Sequence, residues 1–150
     1  MNDPIRVRMA EYHVGHSPDV LITIGLGSCI GIALFDNINK IGGLIHIMLP
    51  ENKKGLKPVK YADTGIPYVI NKMIETGASR NSIIAKIAGG AHMFSSDGDL
   101  NIQVGKRNIE AVEKILNDNK IELMGKDVGK NYGRTMEFYT ENGKVVIRSY

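Results

Sequence analysis

Covalent chemistry in this 150-residue sequence has one obvious nucleophile and four imidazoles to serve it. The single cysteine, Cys29, closes a glycine turn, Gly25-Leu26-Gly27-Ser28-Cys29. A thiol near its ordinary pKa of ~8.5 is mostly protonated at neutral pH, so a cysteine hydrolase needs a base beside it. His13 and His16 read as residues of a polar N-terminal turn, and His92 follows the loop Gly89-Gly90-Ala91. His46 differs, because it interrupts the apolar run IGGLIHIML. A histidine at such a place is usually satisfied by a backbone carbonyl. It is also the histidine that a strand can bring to Cys29.

The glycine turn admits a phosphate-cradle reading, which fails. Glycines at 25, 27 and 31 give G-x-G-x-x-x-G, one residue longer than the dinucleotide fingerprint, and the following IGIALF reads as a strand. No helix N-terminus is therefore offered to a pyrophosphate. Two readings survive. Either the glycines make a bend beside a buried thiol, or they aim backbone N–H groups inward as an oxyanion hole. In the second case Gly27 and Ser28 form the substrate loop, with Ser28 and Cys29 as N–H donors. Turn chemistry alone leaves both open.

The surrounding elements must position these groups. Residues 5–12, 19–24, the IGIALF segment and 41–49 read as strands, consistent with one antiparallel meander. A helix is expected from Asp63 or Thr64, with Pro67 in its first turn and Gly77 at its end. Residues 82–88 return as a strand, a second helix spans 105–118, and strand 121–128 follows. MEFYT and KVVIRSY close the chain as a hairpin around Glu141-Asn142-Gly143. The order indicates one mixed α+β domain over residues 1–150. One short turn joins the segments of Cys29 and His46, so they are expected to pair as cross-strand neighbours. Opposed side chains on one face sit ~4.5–5.5 Å apart at Cβ, close enough for a thiolate–imidazolium pair. Thr23 lies on the face opposite Ile22 and Ile24, where a hydroxyl would orient an imidazole.

Composition narrows the partners. A formal charge of +3, 6% aromatics and no tryptophan offer neither a dense basic stripe nor stacking platforms for nucleic acid. The lysines at 53, 54, 57 and 60 read as a solvated loop. No apolar run approaches the ~18 residues of a membrane span, so no membrane insertion is expected. The first residues lack the pattern of a secretory signal, and a cytoplasmic location is expected. One cysteine excludes an intramolecular disulfide and a cysteine-pair zinc site, and no cofactor or metal is expected.

Taken in order, a set of short stretches resembles the chemoreceptor glutamine deamidase family (CheD). They are Thr23-Ile-Gly-Leu-Gly-Ser-Cys29, His46-Ile-Met-Leu-Pro50 and Lys60-Tyr-Ala-Asp-Thr64. Lys86-Ile-Ala-Gly-Gly-Ala91 with Met93-Phe94, Gly105-Lys-Arg-Asn108, Asp127-Val-Gly129 and Gly133-Arg134 continue the series. The resemblance implies an α+β fold, a β-sheet sandwich with helices packed outside, similar to bacterial toxin cysteine deamidases. It implies catalysis by Cys29 and His46 with Thr23 as third member. The implied activity is that of a protein-glutamine glutaminase in bacterial and archaeal chemotaxis, with some methylesterase side activity. The implied partners are the cytoplasmic helical bundle of a chemoreceptor and a chemotaxis phosphatase of the CheC type. Lys130 stands where the family pattern carries a second glycine. The competing expectation is a non-catalytic module that regulates the phosphatase or the receptor, with Cys29 merely buried.

Overall fold

Short runs of β-branched and other apolar residues form most of the regular structure. The computed structural model describes residues 3–55, 57–92 and 103–150. Along them run β1 (Ile5–Arg6), β2 (Tyr12–His16), β3 (Val20–Leu26), β4 (Ile30–Asp36) and β5 (Ile41–Ile47). Then come α1 (Ala62–Thr76), β6 (Ile83–Gly89), α2 (Gln103–Asp118), β7 (Glu122–Val128), β8 (Arg134–Tyr139) and β9 (Val145–Ser149). Met93-Phe94 lies outside the described residues.

The strands make two sheets, ordered β1-β3-β8-β9 and β2-β5-β4-β6-β7. The sheets face each other and the helices cover the outer side of the five-stranded one, the expected α+β sandwich. Pleat parity decides which residue goes where. Ile30, Ile32 and Leu34 of β4 and Ile45 and Ile47 of β5 pack against Ile66, Val69, Ile70 and Met73 of α1 and Val112 and Leu116 of α2. Cys29, Ala33, Phe35 and Leu44 face the other way, onto Leu21, Leu26, Met136 and Phe138. Phe35 and Phe138 meet edge to face across the two sheets, with ring centroids 5.9 Å apart.

Three expectations are corrected. The stretch 5–12 is not one strand. Val7 donates to the Ile22 carbonyl in the smaller sheet, whereas Tyr12 onward pairs with β5 in the larger. Two short alternating pieces in different sheets imitate one strand, and His13 and His16 consequently lie in β2. Nor do the early strands form a single meander. β3 and β4 belong to different sheets, so the glycine turn carries the chain across the sandwich. Finally, α1 starts at Ala62, because the N–H groups of Ala62 and Asp63 find the carbonyls of Leu49 and Pro50. That places Pro67 beyond the first turn, where it removes a hydrogen bond to Asp63. The buried stripe of Ile66, Val69, Ile70 and Met73 holds the helix together through it.

The β4–β5 turn is held by Asp36, whose wholly buried carboxylate accepts from the N–H groups of Ile38, Asn39 and Ser79 and the Asn39 side chain. Burial alone would raise its pKa. Those four hydrogen bonds outweigh it and hold the carboxyl below its usual range.

Candidate active site

Tight registration of β4 on β5 places His46. The ladder pairs Ile30 with Ile47 and Gly31 with His46. His46 therefore shares the sheet-facing side with Gly31, and Cys29, two residues before Gly31, lies diagonal to it on that side. The sequence expectation of directly opposed partners is two residues off in register, which keeps both on one face. Gly31, opposite His46, lies beneath the other sheet. A Cβ there would lie 2.7 Å from the Met136 sulfur and 3.3 Å from the Thr23 methyl.

Thr23 reaches the same place from β3 in the opposing sheet. Its hydroxyl lies 2.7 Å from the Val7 carbonyl and 2.7 Å from His46 Nδ1. A hydroxyl has one proton to give, and a carbonyl can only accept. Thr23 therefore donates to Val7 and accepts from Nδ1–H, which leaves the lone pair of the imidazole on Nε2. That nitrogen is buried and has no partner among the described residues. The backbone of His46 is held independently, donating to Glu11 and accepting from Ala10. Both Thr23 and His46 are fully buried, whereas Cys29 keeps 9% exposure, so of these three only Cys29 touches solvent.

Consecutive carbonyls pin the nucleophile turn. Gly27 accepts from Ala91 N–H at 2.8 Å, Ser28 from Asn108 Nδ2 at 2.9 Å, and Cys29 from Gly90 N–H at 2.8 Å. In a planar trans peptide the N–H points opposite to the C=O. The Ser28 N–H is thereby turned away from Ala91, and the Cys29 N–H away from Asn108. Gly89 adopts φ +114, and a Cβ on it would collide with the Cys29 carbonyl, so this position requires glycine. On the other flank Tyr150 Oη accepts from Gly25 N–H and donates to the Arg134 carbonyl. Arg134, wholly buried, donates to the carbonyls of Gly89 and Gly129 and to Asp127. Lys130, in place of a glycine, has φ 64 and offers its carbonyl to His92 N–H. The loop thus keeps a left-handed residue there despite the side chain. His92 is exposed, and its side chain is not brought to Cys29 by any bond described.

Electrostatics differ from the sequence expectation of a resting ion pair. Burial raises the Cys29 thiol, offset in part by its own N–H. Burial also lowers His46 to about 4. Both groups are therefore favoured in their neutral forms at pH 7. A resting thiolate–imidazolium pair is thus disfavoured, and no hydrogen bond joins the Cys29 sulfur to Nε2.

The family model for CheD chemotactic sensory transduction matches residues 48–149. The chain belongs to the CheD family. A protein of Clostridium botulinum described as a probable chemoreceptor glutamine deamidase CheD is 49% identical over 97% of this chain and 92% of its own length. One of Lachnoclostridium phytofermentans with the same description is 44% identical over 99% of this chain and 95% of its own. Both alignments span positions 23, 29 and 46, which precede the family-model match. None of the described helices is long and apolar enough to cross a membrane.

Sequence reasoning assigned no role to several supports of the site. Gly31 and Gly89 are two among 17 glycines, and only register and close approach distinguish them. Asn108 and Tyr150 come from 79 and 121 residues downstream of Cys29, beyond the reach of any spacing rule.

Proposed function

We propose that the chain is a cytoplasmic protein-glutamine deamidase of chemoreceptors, acting as one cysteine-hydrolase domain over residues 1–150. The observation that carries this is the Thr23–His46 hydrogen bond, which leaves Nε2 without a partner among the described residues on the sheet face that also holds the lone cysteine. The descriptions of the relatives supply the substrate class.

In the reaction, Cys29 Sγ attacks the side-chain carboxamide carbon of a receptor glutamine as its proton passes to His46 Nε2. The carbonyl oxygen becomes an oxyanion, received by the N–H groups of Ser28 and Cys29 on the turn that Gly27 allows. Each such donor is worth ~10²–10³ in rate. Nε2 returns the proton to the departing nitrogen, the C–N bond breaks, and ammonia leaves a thioester. Water then gives a proton to Nε2 and attacks the thioester, releasing glutamate and restoring the thiol. Thr23 keeps Nδ1 protonated throughout, so Nε2 stays available. The steps use protein groups and water, with no cofactor or metal. Glutamyl methyl esters would follow the same acyl route. Each turnover adds a negative charge to the receptor's cytoplasmic helical bundle.

An open cleft of about 660 Å³ adjoins the segment that bonds to the His46 backbone and is flanked by Arg6 and Lys57. Its two cations, beside the single carboxylate of Glu11, suit an acidic helix face of a receptor, and a CheC-type phosphatase would compete for it.

Incubation with a receptor cytoplasmic fragment, followed by mass spectrometry of Gln-to-Glu conversion, tests the proposal. Conversion is expected with the native chain and to fall to background in Cys29→Ala and His46→Ala. Conversion retained by folded Cys29→Ala would end the nucleophile assignment.

A further inference from the structure

Asn108 touches both halves of the site from outside it. It lies on α2, wholly buried, and its Nδ2 donates to the Ser28 carbonyl at 2.9 Å and to the Met48 carbonyl at 3.0 Å. Ser28 immediately precedes the thiol residue, and Met48 stands two residues beyond the histidine. The β4–β5 ladder stops at Ile30 and Ile47. Past that point the N–H groups of Met48 and Leu49 turn to the Lys60 carbonyl, so the strands part. Two carbonyls are left at the fork, and the two protons of one amide satisfy both. Meanwhile Asn108 Oδ1 is buried without a partner among the described residues. An apolar side chain of similar volume would fill that space without an orphaned acceptor, so packing alone does not account for an asparagine.

We propose that Asn108 is a positioning residue for the reaction, clamping the Ser28–Cys29 peptide to the strand that carries His46. The inference rests on the Cys29–His46 reading above. Holding the Ser28 carbonyl sets the plane of that peptide, and with it the direction of the Cys29 N–H. That N–H is the backbone dipole beside the sulfur, and it partly offsets the burial that disfavours thiolate. It is also one of the two candidate oxyanion donors. Asn108 itself is out of contact with solvent, so it acts through Cys29 and not on substrate.

Asn108→Ala and Asn108→Ser, compared with the native chain and Cys29→Ala, separate this role from a structural one. Three readouts apply: steady-state deamidation of a receptor fragment, iodoacetamide alkylation of Cys29 against pH, and thermal melting. Expected for folded Asn108→Ala is a kcat lower by ~10²-fold, the usual cost of a small misplacement, with KM unchanged. The alkylation midpoint should move to higher pH, and Asn108→Ser, which keeps one donor, should fall between. A folded Asn108→Ala with native kcat or a native alkylation midpoint would overturn the proposal. Failure of both variants to fold would also overturn it, making Asn108 part of the frame. Activity in Cys29→Ala is the separate outcome that removes the underlying reading, and this inference with it.

Discussion

The two sides of the five-stranded sheet are made from alternate residues of the same strands and are put to different uses. Toward the helices, β4 and β5 present Ile30, Ile32, Leu34, Ile45 and Ile47 to an apolar helix layer. Toward the other sheet they present small residues, Phe35 and Leu44, and His46, where glycine leaves room for a partner. Gly31 lies beneath Thr23 and Met136, and Gly42 beneath Phe138. Toward the helices the β4 and β5 side chains are apolar apart from Asp36 at the turn, and their burial needs mainly complementary volume. Toward the other sheet the imidazole of His46 is buried as well, and it finds its bond from Thr23 in the opposing layer. The apolar layer and the candidate site are therefore divided by the period of the pleat, one residue apart along a single strand.

Substitutions on the two sides should separate along that division. Ile66→Ala, beneath the helix layer, is expected to cost about 2–5 kcal/mol in urea unfolding while leaving kcat near native at a temperature where the variant is folded. A large kcat loss there would blur the distinction. Thr23→Val conserves shape but orphans the Val7 carbonyl and His46 Nδ1–H. A destabilisation of about 1–3 kcal/mol is expected, together with a fall in kcat, because Nε2 can then carry the proton. Native kcat in this variant would remove Thr23 from the mechanism.

Acidification tests the sheet side alone. His46 has its pKa lowered to about 4, from 6.5 when unfolded. Between those values the unfolded chain binds the extra proton, so folding stability is complete above 6.5 and is lost as pH falls toward 4. The expected loss between pH 8 and pH 5 is on the order of 2 kcal/mol, and His46→Gln should flatten that limb. A limb unchanged in His46→Gln would mean the imidazole is not held neutral by burial. The smallest effect compares two glycines. Gly31→Ala and Gly43→Ala each place a methyl against packed atoms, Met136 and Thr23 in one case, Val69 and Met73 in the other. Both should cost roughly 1 kcal/mol, but only Gly31→Ala should lower activity. Equal activity in both would argue that the room Gly31 leaves for Thr23 beside His46 is not critical.

Much of the architecture was legible because it rests on local signals. Branched apolar runs, Asp36 and Asn142-Gly143 at turns, and Gly77 at a helix end specify elements over a few residues, and the structure keeps nearly all of them. The errors came where alternation was the same but the sheet was different, as at residues 5–12, or where a helix began on carbonyls supplied by another segment, as at Ala62. Cys29, His46 and Thr23 were conspicuous as a lone thiol, an imidazole in an apolar strand and a threonine before a glycine turn. Which sheet each occupied was not conspicuous.

By itself the sequence determined the elements and the reactive types, since propensity, periodicity and side-chain chemistry act within a strand or a turn. Only the tertiary structure decided that Thr23 crosses from one sheet to hold Nδ1 of a histidine in the other. It also decided that Gly31 leaves room for Met136 and Thr23 beside His46, and that Asn108 bonds to the segments of Cys29 and His46 where the ladder ends. The reason is that hydrogen bonds and close contacts between distant segments depend on register and layer, and neither is written in the spacing of residues along the chain.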